Sequence, residues 1–218
     1  MIRNRLAALM AERGLKITRV AKDTGISRNT ITSISQNDSE MMRMETINTL
    51  CKYLGVTPCE FYEYEPIDFE FSVFLNSFNY YLDRDFVYSY INVNNIDIEV
   101  ILDVDKLPQK QSFDLKCSLF TSKKMALDEP DSPIQVNIEF EDYTEKNTFI
   151  NEIYNKINNS FRQDIYKNLK NVLVNELKER ILQEIGNTAF SINEKQELEK
   201  SIKNSFRLEI LSDVFAPF

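Results

Sequence analysis

The spacing of apolar residues changes twice along this chain of 218 residues. Up to residue 66 they recur every three or four positions, which predicts short amphipathic helices. Between residues 67 and 142 they alternate with polar residues, which predicts β-strands, and after residue 144 the helical spacing returns. The pattern predicts two domains: residues 1–66, all-α with about five helices, and residues 67–218, an α+β domain with an antiparallel sheet followed by long helices.

Two short helical segments are hinged at Gly25. Thr18 is predicted to cap the first segment and Ser27 the second, because a hydroxyl oxygen accepts a hydrogen bond from the first turn of a helix. Gly25 suits the turn between them, since glycine enters the left-handed backbone region at low cost. Ile31 and Ile34 are predicted to be buried, which leaves a polar outer face on the second helix. Such a pair of helices presents side chains to the DNA major groove.

Four ordered blocks of sequence carry a resemblance to a known family. They read Lys-Ile-Thr-Arg-Val-Ala at 16–21, Thr-Gly-Ile-Ser-Arg-Asn-Thr at 24–30, Glu-Thr-Ile-Asn-Thr-Leu-Cys at 45–51 and Phe-Tyr-Glu-Tyr at 61–64. With these blocks, residues 1–66 resemble the Cro and phage-repressor type of helix-turn-helix regulators, often called the Xre family. The resemblance implies that the third helix of the domain lies in the major groove of double-stranded DNA.

The side chains predicted to bind DNA lie in and around this third helix. Arginine can form two hydrogen bonds to the edge of guanine, and asparagine can form two to the edge of adenine. Threonine can donate its hydroxyl to a phosphate and place its methyl group against that of thymine. The chain departs from the family at Ile17, where many members place a glutamine that grips a phosphate, and Thr18 or Arg19 is predicted to take that role. The predicted DNA-binding residues are Thr18, Arg19, Ser27, Arg28, Asn29, Thr30, Thr32, Ser33 and Asn37.

The charge of the chain is unevenly distributed. Residues 1–36 contain seven basic and two acidic residues, a balance of +5, whereas the whole chain carries −8. An acidic protein with its basic charge at one end attracts phosphate to that end and repels it elsewhere. The distribution therefore supports the interpretation of the first domain as DNA-binding.

The chain lacks residues that several kinds of catalysis and ligand binding require. The chain has no histidine and no glycine-rich phosphate loop, so we expect no enzyme activity and no cofactor. Cys51, Cys59 and Cys117 form no Cys-x-x-Cys pair and are predicted to be buried reduced thiols rather than metal ligands. Without a signal-like N-terminus or a stretch of ~20 apolar residues, we expect a cytoplasmic protein with no membrane segment.

In the second domain, Asn94-Asn95 is predicted to form the tight turn of a hairpin between strands 88–93 and 96–104, since asparagine tolerates positive φ. The wet face of the sheet is acidic. It has three interpretations: a divalent-cation site, a docking surface for a basic partner, or a solvated face whose charges discourage edge pairing. Its acidic residues are Asp97, Glu99, Asp103, Asp105, Glu139, Glu141 and Asp142.

The helical region is predicted to break at residues 158–160 and to stop at Gly186. Ser191 and Glu194 have the spacing of a capping box, which opens a last helix that continues through Leu211. Some of these helices must cover the sheet, because its apolar face cannot stay wet. The apolar stripe is longer than one small sheet obviously requires, so its remainder is either core or a subunit interface.

These features predict a sequence-specific transcriptional regulator, of the repressor type found in phages and mobile elements. Two reading helices about one duplex turn apart raise affinity, so residues 67–218 are predicted to form a homodimer. Many repressors that the first domain resembles cleave themselves at an Ala-Gly or Cys-Gly bond, and this chain has neither. We therefore expect release by an anti-repressor protein, a peptide or a small ligand bound to the second domain. The alternative is an antitoxin or chaperone-like protein whose DNA-binding head serves autoregulation.

Overall fold

A boundary after Pro66 divides the computed structural model of the chain into two units, Met1–Pro66 and Ile67–Phe218. The residues that the structure describes are 1–39, 41–85, 88–106, 108–127, 133–188 and 190–215. None of the helices in these ranges combines the length and the apolar character that crossing a membrane requires.

Helices make up most of the first unit, as the apolar spacing predicts. They are α1 (Leu6–Glu12), α2 (Ile17–Thr24), α3 (Arg28–Ser35), α4 (Met44–Leu54) and α5 (Pro58–Phe61). Thr57 and Glu60 form a capping box at the start of α5, in which each side chain accepts a hydrogen bond from the backbone N–H of the other. Two short strands that the sequence analysis misses, β1 (Ile2–Asn4) and β2 (Tyr62–Tyr64), pair antiparallel and bring the two ends of the unit together.

One apolar core holds these five helices together. Each helix contributes at least one fully buried side chain: Leu6, Val20, Ile31, Leu50 and Phe61. Burial of apolar surface is the main favourable term in folding. The orientation of α2 and α3 is therefore set by the packing of the whole unit.

A six-stranded sheet begins the second unit. Its strands are β3 (Asp68–Arg84), β4 (Ser89–Lys106), β5 (Gln109–Leu119), β6 (Lys123–Ala126), β7 (Ile134–Phe140) and β8 (Leu208–Leu211). They lie in the order β3-β4-β5-β7-β8, with β6 paired to β4. Neighbouring strands run antiparallel except β8, which is parallel to β7. The predicted antiparallel sheet is thus mixed at one edge, where the chain returns to the sheet after its last helix.

The predicted hairpin turn at Asn94–Asn95 is wrong. β4 continues through these residues and pairs with β3 on both sides of them. The buried residues Val93 and Ile96 lie three positions apart, so strict alternation would place one of them on the wrong face of the sheet. A register shift between β3 and β4 absorbs the extra residue. This β-bulge returns the following apolar residues of β4 to the core.

The helices of the second unit are α6 (Tyr143–Thr148), α7 (Asn159–Ile185) and α8 (Ile192–Ser205). A π-helical turn and a 3-10 turn join α6 to α7, so the predicted break at residues 158–160 is confirmed as the start of α7. The stop at Gly186 and the capping box of Ser191 with Glu194 are also confirmed. The last helix ends earlier than predicted, because residues 208–211 form β8 and satisfy the backbone groups of β7.

The long apolar stripe of α7 is core. Its side chains, spaced four residues apart, are at most 2% exposed within the single chain. They are Phe161, Ile165, Leu169, Leu173, Leu177, Ile181 and Ile185. The stripe is therefore not available as the subunit interface that the sequence left open.

Phe149, in the π-helical turn, is the centre of an aromatic cluster. It is fully buried and contacts rings from β3, β5, β7, the 3-10 turn and the C-terminal segment, with ring centroids 5.2–6.4 Å away. These rings belong to Phe69, Phe113, Phe140, Tyr154 and Phe215. The cluster joins the sheet to the chain that follows it.

The predicted acidic residues of β4 do share the solvent-facing side of the sheet, because they alternate with buried residues. Two of them are paired: Lys116 Nζ lies 3.7 Å from Asp97 Oδ1, and Lys110 Nζ lies 3.2 Å from Asp103 Oδ2. Within the described ranges, no group of three or more His, Cys, Asp or Glu side chains is arranged to hold a metal ion.

Asp142 has a separate task at the start of α6. Its Oδ1 accepts hydrogen bonds from the backbone N–H groups of Thr144 and Glu145, at 2.7 and 2.9 Å. These bonds hold the pKa of Asp142 below its usual value, because they favour the charged carboxylate. Asp142 is therefore the N-cap of α6 and lies after the end of β7.

Two of the three cysteines are buried as predicted, and one is not. Cys51 and Cys117 are buried, whereas Cys59 is exposed, so the prediction is wrong for Cys59. Cys59 lies in the first turn of the short helix α5, whose buried residue is Phe61. Burial raises the pKa of the Cys117 thiol to about 12, since a low-dielectric environment disfavours the thiolate.

Candidate nucleic-acid interface

The turn between α2 and α3 has the geometry that the sequence predicts. Gly25 ends α2 in the left-handed region, with φ of 74°, and its N–H donates to Ala21 O. Ser27 then caps α3, since its Oγ accepts a hydrogen bond of 3.1 Å from Thr30 N. Both local predictions are confirmed. The turn and the cap fix where α3 begins and hence which of its residues face outward.

α3 buries one side and exposes the other. Ile31 and Ile34 are buried in the core. Arg28, Asn29 and Thr30 are exposed, and Thr32 and Ser33 are half-buried. Because residues four apart lie on the same face of a helix, Asn29 and Ser33 are neighbours there, next to Arg28 and Thr32.

The predicted residues on α3 differ in how free their side chains are. The hydroxyls of Ser27 and Thr30 bond to each other at 2.8 Å, and Thr32 Oγ1 donates to Arg28 O at 2.9 Å. In the described part of the chain, the side chains of Arg28, Asn29 and Ser33 make no hydrogen bond. We call these last three side chains the reading face, since they can give all their donors and acceptors to a ligand.

The predicted phosphate anchors lie on α2. Thr18 is exposed but does not cap this helix, since α2 begins at Ile17 and its N-cap residue is Lys16. Arg19 Nε lies 2.6 Å from Asp23 Oδ2, one helical turn further along, and its side chain is 64% exposed. The guanidinium is therefore held in a defined place while most of it stays in solvent.

Asp23 connects α2 to α4. Its Oδ2 also accepts a hydrogen bond of 2.9 Å from the Tyr53 hydroxyl. The bond from Tyr53, together with the Arg19 guanidinium, lowers the pKa of the Asp23 carboxyl. The charged form of Asp23 is thus favoured, and its carboxylate holds the Arg19 guanidinium in position.

Asn37 is set apart from the other predicted residues by its contacts. Its Oδ1 accepts hydrogen bonds from Asn4 N and Asn4 Nδ2, at 2.8 and 2.6 Å, and its Nδ2 donates to Asn4 O. Asn4 is itself 4% exposed, donates to Ile34 O and accepts from Leu6 N. The two asparagines clamp the end of α3 to the start of α1. The structure therefore gives Asn37 a structural task, and its contact with DNA stays a prediction.

We expect Asn37→Ala to lower the free energy of unfolding of the first unit by about 1–3 kcal/mol, because it removes the hydrogen bonds that Asn37 makes with the buried Asn4. Asn37 also has a positive φ of 53°. Asn37→Gly is the matched control, since glycine tolerates this φ but cannot form the clamp. Urea denaturation followed by circular dichroism measures both variants. Unchanged stability with a loss of DNA affinity would instead restore Asn37 as a DNA-binding residue.

Some basic residues of the first unit form ion pairs with acidic residues of the same unit. Arg3 and Arg5 lie 3.7 and 3.4 Å from Glu63 carboxylate oxygens, and Arg13 lies 3.4 Å from Glu12. Among the described residues of this unit, the basic side chains without an ion pair are Lys16, Lys22, Arg28, Arg43 and Lys52. Of these, only Arg28 belongs to the predicted DNA-binding set, although Lys16, Lys22, Arg43 and Lys52 are also basic and exposed. The net charge of residues 1–36 thus overstates the positive charge that a nucleic acid would meet.

Comparison with known proteins identifies the first unit. Residues 5–66 match the family model of a Cro/C1-type HTH DNA-binding domain. These residues include all five helices and the reading face, so the first unit is a helix-turn-helix DNA-binding domain of the Cro/C1 type. No curated protein and no solved structure matches the chain.

Proposed function

We propose that the protein is a sequence-specific transcriptional regulator that acts as a repressor by placing α3 in the major groove of DNA. The observation that supports this best is the reading face, where Arg28, Asn29 and Ser33 make no hydrogen bond with the described residues, on an exposed helix of a DNA-binding domain. Arginine and asparagine are the side chains that distinguish guanine and adenine by paired hydrogen bonds. The absence of a histidine from the chain agrees with a binding function rather than an enzymatic one.

The second unit would supply the dimer and the control of binding. A single helix-turn-helix unit buries a modest area on DNA, and pairing two of them raises affinity and specificity. Since the chain has neither an Ala-Gly nor a Cys-Gly bond, release through a bound partner or ligand is the mechanism that we propose.

Titration of the full chain with DNA tests the proposal. The two probes are a fragment of its own promoter region and a random fragment of equal length, each at about 50 mM and about 200 mM salt. We expect the promoter fragment to bind at least about tenfold more tightly at both concentrations, and the affinity for both fragments to fall as salt rises. Fluorescence anisotropy of labelled DNA measures these affinities.

Equal affinity for the two fragments would contradict sequence-specific binding. Absence of binding to either would favour the alternative, an antitoxin or chaperone-like protein in which the second unit holds a client protein. Light scattering on the same samples gives the oligomeric state, and a monomer at micromolar concentration would contradict the proposed dimer.

A further inference from the structure

The longest free edge of the sheet belongs to β3. In the strand order β3-β4-β5-β7-β8, the two outer strands are β3, with 17 residues, and β8, with four. Among the described strands, β3 pairs with β4 alone. One row of its backbone N–H and C=O groups therefore points away from the sheet, over roughly 55 Å at about 3.3 Å per residue. Such an edge is a template on which another strand can pair.

Two bulges interrupt β3, but its first half is regular. Register shifts occur at Leu75/Ser77 and at Asn79/Tyr80. From Asp68 to Leu75 the strand pairs with β4 without a shift. This regular stretch is long enough for an added strand, since typical strands have about five or six residues.

The core is not fully covered along this edge. On β4, Ile98 and Val100 are at most 1% exposed, whereas their partners on β3, Leu75 and Val73, are only half-buried. A groove of about 390 Å³ lies here between β3 and α7. It is lined by Val73, Phe74, Leu75, Glu176, Glu179, Arg180 and Gln183. We call it the edge groove.

A strand edge that runs beside a helix is a geometry in which domains accept an extended peptide as an added strand. The backbone of the peptide then pairs with the free edge, while its alternate side chains enter the groove. The half-buried Val73 and Leu75 offer apolar contacts to such side chains, and Phe74, 51% exposed, offers them on the other face.

The charge of the edge groove indicates which kind of strand could bind there. Arg180 forms an ion pair with Glu184, with 2.6 Å between Nη2 and Oε1. Glu176 and Glu179 make no ion pair with any described residue, so the groove is left with a negative charge. A second copy of β3 would bring Asp68 and further carboxylates to this place, and like charges in contact are unfavourable. The groove therefore fits a strand that carries basic side chains.

We propose that β3 and the edge groove bind an extended segment of a partner protein, in which basic residues alternate with apolar ones, as an additional antiparallel or parallel strand. This inference rests on the proposed function in one respect: the partner would be the protein whose binding controls DNA release. It extends that function by naming the surface of the second unit and the chemistry of the segment that it binds.

The probe for the test is a nine-residue peptide of alternating valine and lysine with blocked ends, added to the full-length protein. We expect it to slow amide hydrogen exchange at least tenfold within residues 68–75, at alternate positions, since the N–H groups between them already face β4. We expect its affinity, measured by anisotropy of the labelled peptide, to fall at higher salt. A peptide with glutamate in place of lysine should not bind.

Two pairs of substitutions locate the charge contribution. The double substitution Glu176→Gln with Glu179→Gln should lower the affinity for the lysine peptide at least tenfold. Glu145→Gln with Glu152→Gln removes the same charge from exposed positions outside the edge groove and should change the affinity less than twofold. No protection of residues 68–75, or equal losses in the two pairs, would overturn the inference.

DNA binding, measured in the same samples, separates this inference from the proposed function. Protection of β3 together with loss of DNA affinity supports both. Protection of β3 with unchanged DNA affinity supports the strand-binding site and contradicts its role in release. Specific DNA binding without protection of β3 overturns the inference and leaves the regulator function in place.

Discussion

Arg28→Ala is expected to weaken binding to the specific DNA site by about 1–3 kcal/mol, which is the discrimination that a bidentate contact to a base provides. Arg28 is exposed at the start of α3, and its guanidinium makes no hydrogen bond in the described part of the chain. The fold should therefore be unaffected, and the thermal unfolding of the variant should match that of the parent. Titration with the promoter fragment and with random DNA measures the loss in each.

Arg28→Lys is the matched variant, because it keeps the positive charge but loses the planar fork. If Arg28 reads a guanine, the lysine variant should lose nearly as much specific affinity as the alanine variant. If Arg28 only neutralises a phosphate, the lysine variant should keep most of the affinity for both fragments. A lysine variant that binds the promoter fragment as tightly as the parent would therefore contradict base reading by Arg28.

Phe149→Ala is expected to destabilise the second unit by about 3–5 kcal/mol, the usual cost of replacing a buried phenylalanine with alanine. The side chain is fully buried at the centre of an aromatic cluster that joins the sheet to the segments after it. The rings that it contacts, as far as the structure describes them, belong to the second unit. Calorimetry of the full chain should therefore show a lower unfolding temperature for the second unit, with the unfolding of the first unit unchanged.

Phe120→Ala is the control for this prediction, since Phe120 is 57% exposed. A surface substitution of this kind usually changes stability by no more than about 0.5 kcal/mol. Equal destabilisation by the two substitutions would show that the aromatic cluster does not carry the stability of the second unit. If Phe149→Ala also abolished specific DNA binding while α1 to α5 remained folded, the result would support dimerisation through the second unit.

The helix-turn-helix could be predicted because its signals are local. Gly25 and Ser27 act on backbone groups within a few residues, so their tasks are readable from spacing alone. The same holds for the capping box at Ser191 and the stop at Gly186. The free or occupied state of each polar side chain could not be read in this way. Asn37 looks like another outward polar residue, and its partner Asn4 lies 33 positions away.

In the second unit too, features with local signals could be predicted and features that depend on distant partners could not. Alternation predicts most of its strands, because each strand must place apolar residues on one face. It does not predict that β4 continues through Asn94 and Asn95, since a bulge is favoured only when a neighbouring strand is present to pair across it. Nor does helical spacing exclude a strand at residues 208–211, whose pairing partner β7 lies some 70 positions earlier.

The sequence by itself determined the class of the first unit, the change from strands to helices along the second unit, and the set of side chains from which a reading face could be drawn. Those properties follow from periodicity, caps and turns, which act over one or two helical turns. Only the tertiary structure decided which of the predicted side chains stay free, that the α7 stripe is core, and that β3 keeps an open edge beside Glu176 and Glu179. These outcomes depend on contacts between residues far apart in the chain, and the packing of the whole unit selects them.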